Sequence, residues 1–220
     1  MSITIRLAAG IACVLAVSAA PVAAGDLLIH DGFETCWVTA KTKPQFLDSI
    51  RTSINGTTAC IAPRSGSQSG VGYTICQTTN GCGGGVDGCA VTMQAGTFTG
   101  NFVTGAFAGP GSASNIAIPV TTTVLGNCTI NLTAVSLAYS LDYLMQTDGT
   151  DGVYSDDLMP PGVSITSYAT SNNCNPLLAG VIASYVPQAI AAAETNAALT
   201  IEPDLRTDTL AQSVCPLSAP

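Results

Sequence analysis

Residues 176–199 read PLLAGVIASYVPQAIAAAETNAAL, and how this stretch is covered decides the fold. It is the one long segment with helical periodicity, and its sole charge is Glu194. At 100° per residue, Leu177, Leu199, Val181, Tyr185, Leu178, Ile190, Val186, Ile182 and Ala193 spread over more than half of the circumference. Gly180, Ser184, Gln188 and Thr195 fill the narrow remainder, the arc expected to face solvent. A helix this apolar needs cover on most sides, from protein or from lipid. Residues 176–193 form an uncharged run close to the minimum for a bilayer span, but Pro187 and Gln188 interrupt it and no Lys or Arg anchors either end. Protein is therefore the expected cover, and no transmembrane span is expected in the mature chain.

The sheet that would supply this cover is legible upstream, in residues 95–166. Phe98 and Phe102 alternate with small or polar residues, and Ile116, Ile118 and Val120 repeat the period of two. Along residues 128–143, Ile130 and Leu132 share one parity, while Val135, Leu137, Tyr139, Leu141 and Tyr143 share the other. One extra residue near Ala134 and Val135 returns them all to one face, which is what a β-bulge does. A strand so long and bent fits a curved sheet. Asp148-Gly149 and Asp151-Gly152 are turn signals, and residues 163–165 read as the returning strand. Residues 95–199 are thus expected to hold the curved sheet and the long helix at 176–199. Residues 200–220, with Pro203, Pro216 and Pro220, read as an extended tail tied back by Cys215.

Residues 25–94 form a disulfide-rich N-terminal section of the same domain, with a short helix at about 44–54. Thr42 suits its cap, Pro44 its first turn, and Asn55-Gly56 its stop. Phe46, Leu47, Ile50 and Ile54 share one face, with Asp48 and Arg51 three residues apart on the other. The glycine-rich runs SGSQSG (65–70) and GCGGGVDG (81–88) read as irregular loops, because glycine loses much entropy in regular elements. Residues 72–78 and 90–94 are the strands expected to be joined by the knot of Cys76, Cys82 and Cys89. The second run lacks the lysine and Ser/Thr of a phosphate-binding loop and opens no helix. The expected fold class is α+β: a curved antiparallel sheet packed on a long C-terminal apolar helix and a short amphipathic one, held by disulfides.

Residues 1–24 have the form of a signal peptide: a short basic start, a compact apolar run at 7–17, and Val22-Ala23-Ala24 before a cut at Gly25. The protein is therefore expected to be exported, to the periplasm or the extracellular space. Eight cysteines remain after that cut: Cys36, Cys60, Cys76, Cys82, Cys89, Cys128, Cys174 and Cys215. An even number in an exported chain reads as four disulfides. The tight cluster has the spacing C-x5-C-x6-C, which fits neither a zinc knuckle nor a redox pair. Cys128 opens the best strand and Cys174 stands two residues before the long helix, so a Cys128–Cys174 bridge is expected to fasten sheet to helix, with Asn175 as helix cap.

Composition narrows function mostly by exclusion. Fourteen acidic residues face six basic ones, for a formal net charge of −8, and beyond Ser65 the only base is Arg206. Nucleic-acid binding needs cations for the phosphates and is not expected. The one histidine is His30, and no G-x-S-x-G elbow is present, so no recognisable catalytic constellation exists and a non-catalytic role is expected. No cofactor motif is present, and none is expected. Asp148, Asp151, Asp156 and Asp157 form the densest carboxylate group, but their spacing matches no calcium-binding loop of the EF-hand type. They read as a solvated hairpin tip, with calcium binding left open.

Two resemblances add to this reading. DLLIHDGFETCW (26–37) resembles the F-x-DGFE segment that follows the signal peptide in exported gammaproteobacterial proteins of unknown function, with His30 at a place usually aromatic or small. The order of elements from 43 to 199 resembles tubular lipid-binding (TULIP-like) domains: helix, long bent strand GNCTINL (126–132), NCNP (173–176), apolar helix. In those domains a curled sheet wraps a long helix and acyl chains fill the gap. The resemblance implies a lipid or other apolar small molecule as ligand, lined here by Leu137, Tyr139, Leu141, Leu177, Val181 and Tyr185. The competing expectation is a structural or surface-interaction protein with a fully packed core and no small ligand.

Overall fold

The structure, a computed structural model, describes residues 40–147 and 151–217. The expected signal peptide at 1–24, the DGFE segment with His30, Cys36 and the expected Asp148-Gly149 turn lie outside the described residues. In chain order the elements are α1 (Lys43–Ile54), β1 (Thr58–Ile61), β2 (Arg64–Gln68), β3 (Val71–Ile75), β4 (Cys89–Ala95), β5 (Thr99–Asn101), β6 (Ala106–Ala113), β7 (Ile116–Thr122), β8 (Cys128–Thr147), β9 (Val153–Leu158) and β10 (Gly162–Asn172). A single 3₁₀ turn (Pro176–Leu178), α2 (Ala179–Thr209) and β11 (Ser213–Val214) complete it.

The sheet is antiparallel and is built around β8, which has four partners. On one side residues 128–132 pair with β7 and residues 135–142 with β6. On the other, β10 and then β9 run alongside. The halves extend outward through β3 and β2 in one direction and β4 and β1 in the other. The bulge stands where the parity places it. Ala134 has φ +51° in the left-handed region, and the inward set Cys128, Ile130, Leu132 continues as Val135, Leu137, Tyr139, Leu141, Tyr143, all buried. Neighbouring strands break at the same level: β6 gives way to β7 after Ala113, β1 to β2 after Ile61, and β10 shifts register between Ile165 and Ala169. Aligned interruptions of this kind let the sheet crease and curve over a core.

Disulfides reinforce the crease. Cys76, just past β3, bonds Cys89 at the start of β4, and Cys60 of β1 bonds Cys82 in the glycine-rich loop. The expected Cys128–Cys174 bridge is present, with Cα atoms 4.9 Å apart, and Cys215 is also disulfide-bonded. One expectation for this section fails. Residues 64–68 form strand β2 rather than loop, paired to β3 from Arg64↔Ile75 to Gln68↔Val71. The hairpin turns at Ser69 and Gly70, both at positive φ, and its backbone ladder needs no apolar side chains to hold it. Gly66 suits it for a second reason: a Cβ there would stand 2.7 Å from Cζ of Tyr73 across the ladder.

Helix α1 forms as its caps dictate. The Gln45 amide donates to Oγ1 of Thr42 and the Thr42 amide to Oε1 of Gln45, a reciprocal capping box, with Pro44 in the first turn. Phe46, Ile50 and Ile54 are fully buried, and the Phe46 ring lies 5.6–5.7 Å from those of Phe102, Phe107 and Tyr143. Asp48 and Arg51 pair on the outer side.

Helix α2 departs from the sequence reading in extent and in cover. It continues through Pro203 to Thr209, so residues 200–209 are helix rather than extended tail. Ile201, Leu205 and Thr209 are fully buried, and burying them outweighs the roughly 3 kcal/mol that an interior proline costs. Both helical prolines sit on the exposed side, as do Ala183 and Leu199, whose carbonyls they leave without a helical donor. Only a third of the most apolar 18-residue window is buried, so the helix is not wrapped on most sides. Gly180, Ser184, Gln188 and Thr195 face solvent as expected, but so do Leu177 and Leu199. Its buried positions recur every fourth residue: Val181, Tyr185, Ala189, Ala193, Ala197, Ile201, Leu205, Thr209. On a 3.6-residue helix each such step turns the contact by about 40°. The contact stripe therefore winds around α2, with the Asn196 side-chain amide on the Cys60 carbonyl of β1 and, about three turns on, Asp208 against Ser53 of α1.

Candidate functional site

Five of the six residues expected to line a ligand cavity point into the core. Leu137, Tyr139 and Leu141 do so from β8, and Val181 and Tyr185 from α2. Leu177 does not: it is 66 % exposed. The helix opens with a 3₁₀ turn of three residues per turn, which rotates Leu178 inward in its place.

The space between sheet and helix is small. Val91, Met93, Leu137, Val163, Ile165, Ala193, Glu194 and Ala197 surround a gap of about 10 Å³. That is room for about one water molecule and far below a small-molecule pocket of about 300 Å³ or more. Of the expected lining residues only Leu137 borders it. Oε1 of Glu194 accepts the Ile165 amide at 2.7 Å, so the one charge in the apolar stretch of α2 clasps the edge of β10. Tyr139 packs on Phe98 with ring centroids 6.0 Å apart and donates to the Gln94 carbonyl at 3.4 Å, and burial pushes its ionisation up. Among the described residues the buried Tyr185 hydroxyl has no hydrogen-bond partner; burial raises its pKa, against the opposing pull of the Arg64 charge.

A larger opening lies at the surface. Ile130, Tyr168, Thr170, Asn172, Ile182, Ala183, Val186 and Pro187 line a cleft of about 240 Å³ between β10 and the first half of α2. Sequence reasoning missed it because residues 166–172 carry no apolar alternation; the only signal there is Tyr168, a large ring in a run of small polar residues.

Of the hairpin carboxylates, Asp156 and Asp157 turn to separate partners, and Asp148 lies outside the described residues. Asp156 accepts Nε2 of Gln146 at 2.7 Å. Asp157 accepts Nη1 of Arg206 at 2.7 Å and the Leu158 amide at 2.8 Å, contacts that lower its pKa in that order. Arg206 also reaches Glu202 and the Leu158 carbonyl, pinning the last turns of α2 to β9. Among the described residues, no group of three or more His, Cys, Asp or Glu side chains is placed to hold a metal ion. Buried hydroxyls serve structure: Oγ of Ser155 donates to the Thr209 carbonyl at 2.6 Å, and Oγ1 of Thr209 to the Leu205 carbonyl.

No protein-family model matches the chain, and no curated protein matches it in sequence.

Proposed function

We propose that this is an exported, non-catalytic protein that works through its outer surface as a structural or interaction module, with a packed core and no internal ligand. The observation that carries the reading is the gap of about 10 Å³ between the sheet and α2, where an acyl chain would have to lie. Three disulfides are compatible with an oxidising compartment and support export. The charge balance leaves nucleic acid an unfavourable partner. Mass spectrometry of gently purified protein beside a solvent-extracted sample tests the proposal: protein free of lipid in both is the expected result, and a stoichiometric apolar molecule in the first alone would overturn it.

A second reading rests on the open cleft of about 240 Å³, whose apolar floor of Ile130, Ile182 and Val186 suits a small apolar ligand at the surface. Titration with a short-chain fatty acid, read by chemical shifts of Ile182 and Val186, separates it from the first.

A further inference from the structure

We infer that the outer edge of β10 is a pairing surface for a second copy of this chain, which adds across a two-fold axis as an antiparallel strand. Among the described residues β10 pairs with β8 alone, and residues 166–172 are exposed throughout. The direction of its backbone groups follows from the ladder. The Asn173 amide donates to the Thr129 carbonyl, and Ser171 and Ala169 stand opposite Asn131 and Thr133. Inward and outward residues alternate in an antiparallel pair, so Thr170 and Asn172 turn their N–H and C=O groups away from β8. Alternating donors and acceptors at this spacing are matched by another extended chain. Further up the strand, the outward amide of Ile165 is already taken by Glu194, which limits the open part to the stretch beyond it.

The segment itself says which chain. GVSITSYATSN is rich in β-favouring residues and has no charge and no proline, two of the devices that protect an edge, and its register shifts lie between Ile165 and Ala169, ahead of the regular stretch 169–172. The other outer strands are short or charged: β1 has four residues, β2 has five and carries Arg64, β5 has three, and β11 has two. A chain of formal net charge −8 repels its own copies wherever the acids are dense, and this edge is where two copies meet without that repulsion. Pairing centred on Thr170 sets Tyr168 of each copy opposite Asn172 of the other. The second copy's Tyr168 then lies over the mouth of the cleft floored by Ile130, Ile182 and Val186. An uncharged, self-complementary strand with an aromatic cover for the adjacent cleft fits a second copy better than an unrelated peptide.

This assignment rests on the surface-interaction reading, and its test is separate, since self-association can fail in a protein that still carries no ligand. Sedimentation velocity of the mature, disulfide-bonded protein over a wide concentration range is expected to show a monomer–dimer equilibrium. Amide exchange at Thr170 and Asn172 is expected to slow as the dimer forms. Thr170→Pro removes an outward N–H and no bond to β8, so it is expected to weaken the dimer by at least about tenfold with the melting of the dilute, monomeric protein unchanged. Thr170→Lys, which opposes two like charges at the axis, is expected to do the same and to recover partly in high salt. A monomer at every concentration with fast exchange at both amides overturns the inference. So does a dimer that survives both substitutions.

Discussion

The hydroxyl of Tyr143 on β8 meets Oγ1 of Thr209 in the last turn of α2 at 2.9 Å, in a place closed to solvent. This contact joins the central strand to the far end of a helix that composition alone would have ended ten residues earlier. Burial pushes the Tyr143 pKa up to about 12, against the smaller opposing effect of the Thr209 hydrogen bond. Below pH of about 10 the phenol is protonated in both states; above it the unfolded chain ionises first. Stability is therefore expected to fall between pH of about 10 and about 12, by roughly 3 kcal/mol from this group. In Tyr143→Phe, urea unfolding at neutral pH is expected to show a loss of about 1 kcal/mol, and the alkaline loss to shrink. An unchanged alkaline profile would count against the buried phenol.

Cys128–Cys174 closes a loop with a sequence separation of 46 and ties the start of β8 to the entry of α2. Replacing both cysteines by alanine is expected to lower stability by about 4 kcal/mol, measured by denaturant unfolding. Non-reducing peptide mapping is expected to return Cys60–Cys82, Cys76–Cys89 and Cys128–Cys174 as linked pairs.

Ala134 gives a test of the bulge. In an ordinary strand position valine is preferred over glycine, but at φ +51° the order reverses. Ala134→Gly is expected to leave stability within about 1 kcal/mol of the parent, and Ala134→Val to cost about 2 kcal/mol. Thermal melts ranking valine above glycine would contradict a left-handed residue here.

The C-terminal half of α2 answers to two substitutions of opposite sign. Leu205 is fully buried, and Leu205→Ala is expected to cost 2–5 kcal/mol, roughly the range for a core leucine. Pro203 is exposed inside the helix, and Pro203→Ala is expected to stabilise it, by up to about 3 kcal/mol. An extended tail would respond to neither.

Asp157 supplies an acid limb. Its carboxyl is held below the ordinary value by Arg206 and the Leu158 amide, so the stability it contributes is present above pH of about 4 and lost as pH falls through the lowered pKa. In Asp157→Asn the melting temperature is expected to depend less on pH across that acid range, as followed by circular dichroism.

Much of the fold was legible because its signals are local. The start of α1 is written in Thr42 and Pro44, and those residues cap it and occupy its first turn. The parity change at Ala134 told of the bulge, because side chains on a strand alternate whatever the strand pairs with. The candidate site was less legible. A single helical wheel projects every buried position of α2 onto one circle. The winding contact of positions 181, 185, 189 and onward was therefore spread into a broad arc, and the exposed Leu199 was counted with it. Leu177 entered the expected lining for the same reason, on the assumption of α geometry where the chain makes a 3₁₀ turn.

By itself the sequence determined the α+β class, the bent spine at residues 128–143, the short capped helix, the Cys128–Cys174 bridge and the solvent-facing arc of α2. Each depends on residue type at fixed spacing along one element. Tertiary structure alone decided how much of α2 is covered, how far it runs past Pro203 and how little space lies beneath it. These depend on volumes and hydrogen bonds shared between elements distant in the chain, as between Glu194 and Ile165 or Tyr143 and Thr209, and no local pattern records a partner 29 or 66 residues away.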